Sequence, residues 1–314
     1  MSGFSVRFAA EADAPGIRAL FRRVFEKEMT AEEWDWKYAR NPDGWLGTVA
    51  VLNGEIVGNY SGCGMRFRLA GRERLAYAIG DVATDPKARQ LGGRRGVFRE
   101  MVEAFYAEVA RRGLPFCFGF PNDRALAISH RFAGTQSLRA IVEKRVRCES
   151  FPAPPESFAS GDAVGEAFDA LWLSARDGLL AAAVRDRMRA NWRFHARPTR
   201  YYRMLWKESA GAVASWAVLS VVGEDAIVAD YLGSAAEGGD LPELFAAAAA
   251  EAARCSARQL VFWETPGGPG ASAIAELPGT SAPAGFTLIA RVFDEEAVRL
   301  FGSGHLTPAL YDVV

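Results

Sequence analysis

The stretch that decides the fold is LAYAIGDVATDPKARQLGGRRGVFREMVEAFYAEVARRGLPFCFGFPNDRALAISHRFAG, residues 75–134. Leu75–Ala83 is short, apolar and bounded by charge, which is typical of a buried strand. A basic segment with glycines follows, and apolar residues then recur at helical spacing between Arg94 and Arg112. Phe116–Phe120 alternates like a strand, and residues 122–134 predict a short helix. The order is therefore strand, basic loop, helix, strand, helix.

The loop between the first strand and the first helix has the features of a pyrophosphate site. A helix start offers unpaired N–H groups and a partial positive charge, glycines let the backbone approach an anion, and arginines add charge-assisted donors. A solvated surface loop is the alternative interpretation. The residues that carry the pattern are Lys87, Arg89, Gly92, Gly93, Arg94 and Arg95.

This order of elements resembles the GNAT acyltransferase superfamily, whose central strand, loop and helix hold acyl-CoA. The family's next strand and helix often carry the pattern N-x-x-A-x-x-L-Y-x-x-x-G, and Asn122, Ala125 and Ile128 match it, with Ser129 at the tyrosine position and Gly134 one residue beyond the glycine position. The family's loop, R/Q-x-x-G-x-G/A, is matched only incompletely. The resemblance covers roughly residues 4–149 and rests mainly on the order of elements.

The resemblance implies an acyl-CoA site in this half of the chain. The backbone of Val82, Ala83 and Thr84 is expected to pair with the pantetheine arm and to polarise the thioester, and Asn122 is expected to help fix that arm. The expected pyrophosphate site consists of Arg89, Gln90, Gly92, Gly93, Arg94, Arg95 and Gly96.

Two side chains are candidates for proton transfer. Asp81 lies inside an apolar strand, where a buried carboxylate needs partners or a raised pKa, so it is a candidate base; an edge position that faces water is the alternative. Ser129 is a candidate acid, although a serine hydroxyl is a weaker acid than a phenol. We therefore expect Ser129 to act at most as a hydrogen-bond donor.

The whole chain suggests two domains. Its 314 residues are about twice a typical domain length of ~150 residues, and the segment 151–162 is rich in Pro, Ser and Gly. We predict an acyl-CoA-binding domain at 1–150, a linker at 151–162 and a second domain at 163–314. The predicted fold is α/β (α+β), with two tandem GNAT-like domains that each have a mixed central sheet flanked by helices.

The second domain is interpreted as a degenerate copy of the first. NWRFHARP at 191–198 mirrors DWKYARNP at 35–42, and the order of predicted elements then repeats. Chance similarity between two α/β domains is the alternative. Before the second copy's helix the chain carries Asp240 and Glu243, which would repel phosphate at a helix start. We therefore predict that the copy has no cofactor site.

Local signals predict three further features of the first half. Thr30 with Glu33 is a capping-box signature. Asn53-Gly54 is a strong hairpin signal between two strands. Arg139–Arg147 is interpreted as the strand that closes the first domain.

Composition narrows the function classes. Cys63, Cys117, Cys148 and Cys255 are far apart and the chain has three histidines, so no metal site is predicted. The sequence contains neither a signal-peptide pattern nor a run of about 18 apolar residues that would span a membrane, so we expect a cytoplasmic protein. The net charge of −1 argues against nucleic-acid binding, although residues 1–150 hold 24 Lys+Arg and 18 Asp+Glu, a net charge of +6.

The sequence therefore predicts transfer of an acyl group, most simply acetyl, from CoA to an amine by direct attack, with acetyl-CoA as co-substrate. The acceptor stays open among sugar amines, aminoglycosides, polyamines and protein N-termini. Two other classes also stay open: an aminoacyl-tRNA-dependent transferase of the peptidoglycan-branching kind, and a non-catalytic acyl-CoA-binding protein.

Overall fold

The structure is a computed structural model that describes residues 3–92, 96–154, 158–199, 201–209, 212–233, 241–265, 267–268 and 270–311. The chain divides into two compact units. Unit 1 comprises Met1–Arg66, Arg74–Leu138 and Thr287–Val298, and unit 2 comprises Phe67–Glu73, Arg139–Phe286 and Arg299–Val314.

Helices and strands are interspersed along the chain. The first half contains β1 (Ser5–Phe8), α1 (Ala14–Phe25), α2 (Ala31–Trp34), β2 (Trp45–Leu52), β3 (Glu55–Leu69), β4 (Arg72–Thr84), α3 (Val97–Arg111), β5 (Phe116–Gly119), α4 (Asp123–Ala133) and β6 (Gln136–Arg147). The second half contains β7 (Phe158–Gly161), α5 (Ala167–Ala175), β8 (Ala181–Ala183), α6 (Arg187–Ala190), β9 (Arg203–Ser209), β10 (Ala212–Val222), β11 (Asp225–Gly233), α7 (Leu241–Arg254), β12 (Gln259–Trp263), α8 (Ala271–Glu276), β13 (Thr280–Val292) and α9 (Glu295–Gly302).

The sheet of unit 1 is mixed and has helices on both faces. Its strand order is β1-β2-β3-β4-β5-β13, with β4 and β5 parallel and β13 antiparallel to β5. Neighbouring residues of a strand point to opposite faces. Accordingly, Ala50 belongs to the core formed with α3, whereas Val49 belongs to the core formed with α1. The sheet is therefore covered by α3 on one face and by α1 on the other.

Two local predictions in unit 1 are confirmed. The hairpin between β2 and β3 turns at Asn53 and Gly54, whose φ angles are +51° and +81°, as a two-residue turn of this kind requires. Thr30 caps α2, because its Oγ1 accepts a hydrogen bond of 3.1 Å from the backbone N–H of Glu33.

The strands of unit 2 are also mixed in direction, with the order β6-β12-β11-β10-β9-β7. Its parallel pair is β11 and β12. The alanine-rich helix α7 packs on one core of this unit, and α5 packs on another. Part of the predicted linker is strand β7, which pairs with β9.

The predicted repeat has a counterpart in local geometry. Asp35–Ala39 and Asn191–His195 each form a single π-helical turn, and each turn follows a four-residue helix whose N-cap side chain accepts a backbone hydrogen bond. Tandem GNAT-like domains and their boundaries stay a prediction.

The strand expected to close the first domain pairs elsewhere. Residues Glu143–Arg147 of β6 pair with β12 in unit 2, whereas Ile289–Val292 of β13 border β5 in unit 1. A strand's local pattern does not specify its partner, and this partner lies far along the chain. The predicted fold class, mixed α/β with sheets flanked by helices, is confirmed. No helix within the described ranges is both long and apolar enough to cross a membrane.

Candidate active site

The site is built where two parallel strands of unit 1 diverge. β4 and β5 are paired at Tyr77 with Cys117 and at Ala78 with Phe118. β5 then ends at Gly119, whereas β4 continues to Thr84. In the described part of the chain, Ile79–Thr84 has no ladder partner on the β5 side. Its backbone groups are therefore available to an extended ligand that lies between the strands.

The loop and the start of α3 follow β4. Gly96 is the N-cap of α3 with a φ of +43°, and Gly92 has a φ of +81°, so both positions favour glycine. Arg89 is exposed, and its Nε donates to the carbonyl oxygen of Thr84 at 3.2 Å. Gln90 is also exposed. The predicted phosphate ligands Gly93, Arg94 and Arg95 lie outside the described residues. The start of α3 is nevertheless an anion-binding geometry, because its first N–H groups have no partner within the helix.

Asp81 lies inside β4, just before the segment predicted to pair with pantetheine, and its backbone bends the strand. Its φ is +51°. Its carboxylate Oδ2 accepts hydrogen bonds from Lys37 Nζ at 2.5 Å and from Tyr38 Oη at 2.6 Å. Its backbone carbonyl accepts from Asn59 Nδ2 at 2.9 Å, and Ser61 Oγ donates to Asn59 Oδ1 at 2.8 Å. The alternative interpretation, that Asp81 is an edge residue facing water, is therefore wrong, because its carboxylate is held by Lys37 and Tyr38.

Val82, Ala83 and Thr84 come directly after this bend. Ala83 is 3% exposed and belongs to the core with α1, whereas Val82 and Thr84 are half-buried. The side chain of Val82 packs against the opposite core, which contains α3. The side chains of Val82 and Ala83 thus anchor the strand on opposite faces, and the backbone edge that faces away from β3 borders a cleft between β4 and β5.

The predicted residues of α4 have local roles. Asn122 caps the helix, because its Oδ1 accepts from the third backbone N–H of α4 at 3.0 Å. Ser129 is half-buried on the same helix. The ring of His130 contacts Thr135 Oγ1 at 3.1 Å and Ser137 Oγ at 3.0 Å. The structure places Asn122 at the end of β5, and nothing in it assigns a proton-transfer role to Ser129.

The cysteine beside the cleft is not an activated nucleophile. Cys117 lies in β5 opposite Tyr77, and burial raises the pKa of its thiol. Burial also raises the pKa values of Tyr60 and Tyr106, whose hydroxyl oxygens are 2.7 Å apart. These groups stay protonated at neutral pH, so a thiolate or phenolate at these three positions is not available for covalent catalysis.

The sequence analysis missed Lys37, Tyr38 and Asn59 as parts of the site. The available signal was a lysine flanked by the aromatic residues Trp36 and Tyr38, since a lysine buried between them needs a partner. That partner, Asp81, lies in a different element and is not visible from local spacing. Within the described ranges, no cluster of His, Cys, Asp and Glu could hold a metal ion.

Residues 5–133 match the family model described as an acetyltransferase (GNAT) domain. This segment is therefore similar to a GNAT domain. No curated protein sequence is similar enough to the chain to count as a match.

Solved structures with a similar fold align with residues well beyond the segment 5–133. A probable N-acyltransferase from Enterococcus faecalis is 14% identical and has a TM-score of 0.69, with 96% of this chain and 74% of that chain covered. A GCN5-related N-acetyltransferase from Anabaena variabilis is 12% identical, with a TM-score of 0.67 and coverages of 92% and 73%. The N-myristoyltransferase of Saccharomyces cerevisiae, solved with myristoyl-CoA, is 10% identical, with a TM-score of 0.58 and coverages of 93% and 80%. At these identities the likeness shows a shared fold.

Proposed function

We propose that this chain transfers an acyl group, most simply acetyl, from CoA to an amine. The observation that carries the proposal is the divergence of β4 from β5 beside the start of α3, within the segment that matches the GNAT domain. An open strand edge next to a helix start suits a thioester with an amide-containing arm and a pyrophosphate.

Each part of acyl-CoA has a counterpart in the cleft. The backbone of Val82, Ala83 and Thr84 would bind the arm and donate a hydrogen bond to the thioester carbonyl. The loop from Arg89 to Gly96 would hold the pyrophosphate, and Asn122 would fix the far side of the arm. The two positive φ angles in the loop allow the backbone to approach the phosphates closely.

The reaction would be a direct attack. The neutral amine nitrogen forms a bond to the thioester carbon, the C–S bond breaks, and CoA leaves as a thiolate. The amine proton passes to a base, directly or through water. Asp81 as that base, and Ser129 as a donor to the leaving sulfur, stay predictions. A thiolate with a pKa of roughly 8.5 leaves at modest cost near neutral pH, so the acid is less important than the base.

We further propose that the second half of the chain is a copy that has lost the cofactor site. Support comes from the matching π-helical turns and from a second parallel strand pair, β11 with β12. At the start of α7, Glu243 places a carboxylate where phosphate would need donors, although Lys207 Nζ lies 2.7 Å from it. The predicted Asp240 lies outside the described residues.

Calorimetry with acetyl-CoA and with myristoyl-CoA tests the proposed site. We expect the double change Arg94→Glu with Arg95→Glu to weaken acetyl-CoA binding by more than tenfold, because charge-assisted phosphate contacts are worth ~1.5–3 kcal/mol each. The matched control is Arg147→Glu with Arg258→Glu, which reverses two arginines that are 75% and 77% exposed and ion-paired in unit 2. Unchanged affinity in the first variant would remove the loop from the site.

Two further readouts separate the function classes. Release of the CoA thiol in the presence of an amine panel is expected for an enzyme, whereas binding without turnover would indicate a non-catalytic acyl-CoA-binding protein. A wild-type chain with no affinity for either thioester would favour the aminoacyl-tRNA-dependent class.

A further inference from the structure

The backbone of Asp81 is unusual for its position. In the described part of the chain, the other non-glycine residues with positive φ are Glu26, Asn53, Ala70 and Ser256, and all of them lie at turns or helix ends. Asp81 instead lies inside a strand, with a φ of +51°. A residue with a Cβ pays a conformational cost in this region, so the surrounding structure must hold it there.

Three side chains hold Asp81 from both ends. Lys37 and Tyr38, from the π-helical turn, both donate to its carboxylate Oδ2. Asn59, from β3, donates to its backbone carbonyl at 2.9 Å, and the Asn59 amide is itself oriented by Ser61. We call these four side chains and Asp81 the clamp. Because the clamp holds both the side chain and the carbonyl of Asp81, it fixes the orientation of the peptide group between Asp81 and Val82.

The clamp is buried, so its strength does not depend on a screened surface contact. The side chains of Lys37 and Asp81 are 7% and 11% exposed. Tyr38 and Asn59 are 2% and 1% exposed. A buried ion pair gains little stability over an apolar replacement, and keeping one suggests a role in specifying conformation.

We propose that Asp81 is a positioning residue: the clamp holds it in the left-handed conformation and thereby aims the backbone groups of Val82–Thr84 that face away from β3 at the acyl-CoA arm. The inference rests on the proposed function, because it assigns these backbone groups to that ligand. In this role Asp81 acts through the backbone that follows it, because Lys37 and Tyr38 hold its carboxylate while Asn59 holds its carbonyl.

A pair of double variants distinguishes the two roles. Lys37→Met with Asp81→Gly and Lys37→Met with Asp81→Ala both lack the carboxylate and the ammonium, so neither leaves a buried charge unpaired. Glycine adopts a positive φ freely, whereas alanine does not. We expect the glycine variant to bind acetyl-CoA within about tenfold of the wild type, and the alanine variant to bind at least fivefold more weakly than the glycine variant. Equal affinities in the two variants would overturn the proposal.

A milder variant keeps the test valid if the alanine variant does not fold. Tyr38→Phe removes one donor to Asp81 and keeps the ring, which packs against Trp34 and Trp45. It should weaken acetyl-CoA binding about threefold. Its control is Tyr60→Phe, which removes a buried hydroxyl that contacts Tyr106, and this change should leave binding within the error of the measurement. Unchanged binding in Tyr38→Phe would count against the clamp.

Amide hydrogen exchange of the ligand-free protein separates failure of this inference from failure of the proposed function. Exchange across residues 79–85 should be at least fivefold faster in the alanine variant than in the glycine variant, whether or not the chain binds CoA. If the wild type bound no acetyl-CoA, the proposed function would fall, and the exchange comparison would still decide whether the clamp holds β4. Equal exchange rates would mean that it does not.

Discussion

Each unit has an ion pair whose aspartate lies on a strand with a parallel neighbour: Asp81 on β4 in unit 1 and Asp230 on β11 in unit 2. The two pairs differ in how the aspartate is held. In unit 2, Arg185 Nε lies 3.0 Å and 2.9 Å from the two carboxylate oxygens of Asp230, and Thr307 Oγ1 also donates to Oδ1 at 2.9 Å. In unit 1, Lys37 Nζ and Tyr38 Oη both donate to Oδ2 of Asp81. Asp230 has no positive φ, whereas Asp81 does. Both oxygens of Asp230 are therefore held within unit 2, whereas the pair in unit 1 lies at a residue with a positive φ inside its strand.

The strand edges beyond these pairs differ in the same way. The ladder between β11 and β12 runs from Asp225 with Gln259 to Ile227 with Val261. Beyond it, the carbonyl of Tyr231 accepts a hydrogen bond of 3.0 Å from His305 Nε2, which belongs to the C-terminal segment of unit 2. Unit 2 thus fills the end of its own strand with its own chain, whereas the equivalent edge of β4 is open. The comparison indicates which unit can take a ligand.

The difference between the units predicts, as its largest effect, that only one of them binds acetyl-CoA. We expect calorimetry on the intact chain to give one acetyl-CoA per chain, because His305 bonds to the backbone at the end of β11 and because Glu243 lies at the start of α7. A clear stoichiometry of two would show that the closed edge opens and would contradict the difference between the units.

Removing the cation from each pair should destabilise the protein unequally. Arg185→Met leaves Asp230, whose side chain is 5% exposed, without its cation, and we expect a loss of about 3–5 kcal/mol of unfolding free energy. Lys37→Met should cost less, about 1–3 kcal/mol, because Tyr38 still donates to Asp81. Denaturant titration measures both. The double variant Arg185→Met with Asp230→Asn should recover part of the loss; no recovery would mean that the pair is not the cause.

Acid should weaken the protein through His305. Burial lowers the pKa of this histidine from its ordinary value of 6.5 to about 3. Below about pH 6.5 the unfolded chain takes up a proton that the folded chain does not, so stability is present above that pH and is lost as the pH falls. The slope approaches about 1.4 kcal/mol per pH unit between pH 6 and pH 4. His305→Gln should lower this slope by that amount in denaturant titrations, and an unchanged slope would exclude His305 as its source.

The smallest effect concerns the helix after β5. Ser129→Ala should keep turnover within about tenfold, or about 1.4 kcal/mol in the barrier, because a serine hydroxyl is a weak acid and the thiolate leaves readily. The measurement is thiol release with an amine that supports turnover in the wild type. Abolished turnover in a folded Ser129→Ala variant would make Ser129 the acid and would end the assignment of a minor role to α4.

Local structure was largely predictable because its causes are local. The Asn53-Gly54 turn, the Thr30 cap and the helix now seen at Val97–Arg111 each follow from a few adjacent residues. The exchange of β6 and β13 was not predictable, because strands of similar composition differ only in partners that lie far along the chain. The clamp was missed for the same reason: the sequence identifies Asp81 as unusual, but only the fold brings Lys37 to it.

Because β13 belongs partly to unit 2 and partly to unit 1, it affects how the chain folds during synthesis. β13 starts in unit 2 and ends in unit 1, where Ile289–Val292 cover one edge of β5. A ribosome synthesises Ile289 about 170 residues after its partner Gly119, so the nascent N-terminal unit carries an unpaired strand edge while those residues are made. Exposed edges of this kind pair readily with other chains. We therefore expect the first unit to complete its sheet only when the second unit has been synthesised, and we expect the growing chain to depend on chaperones until then.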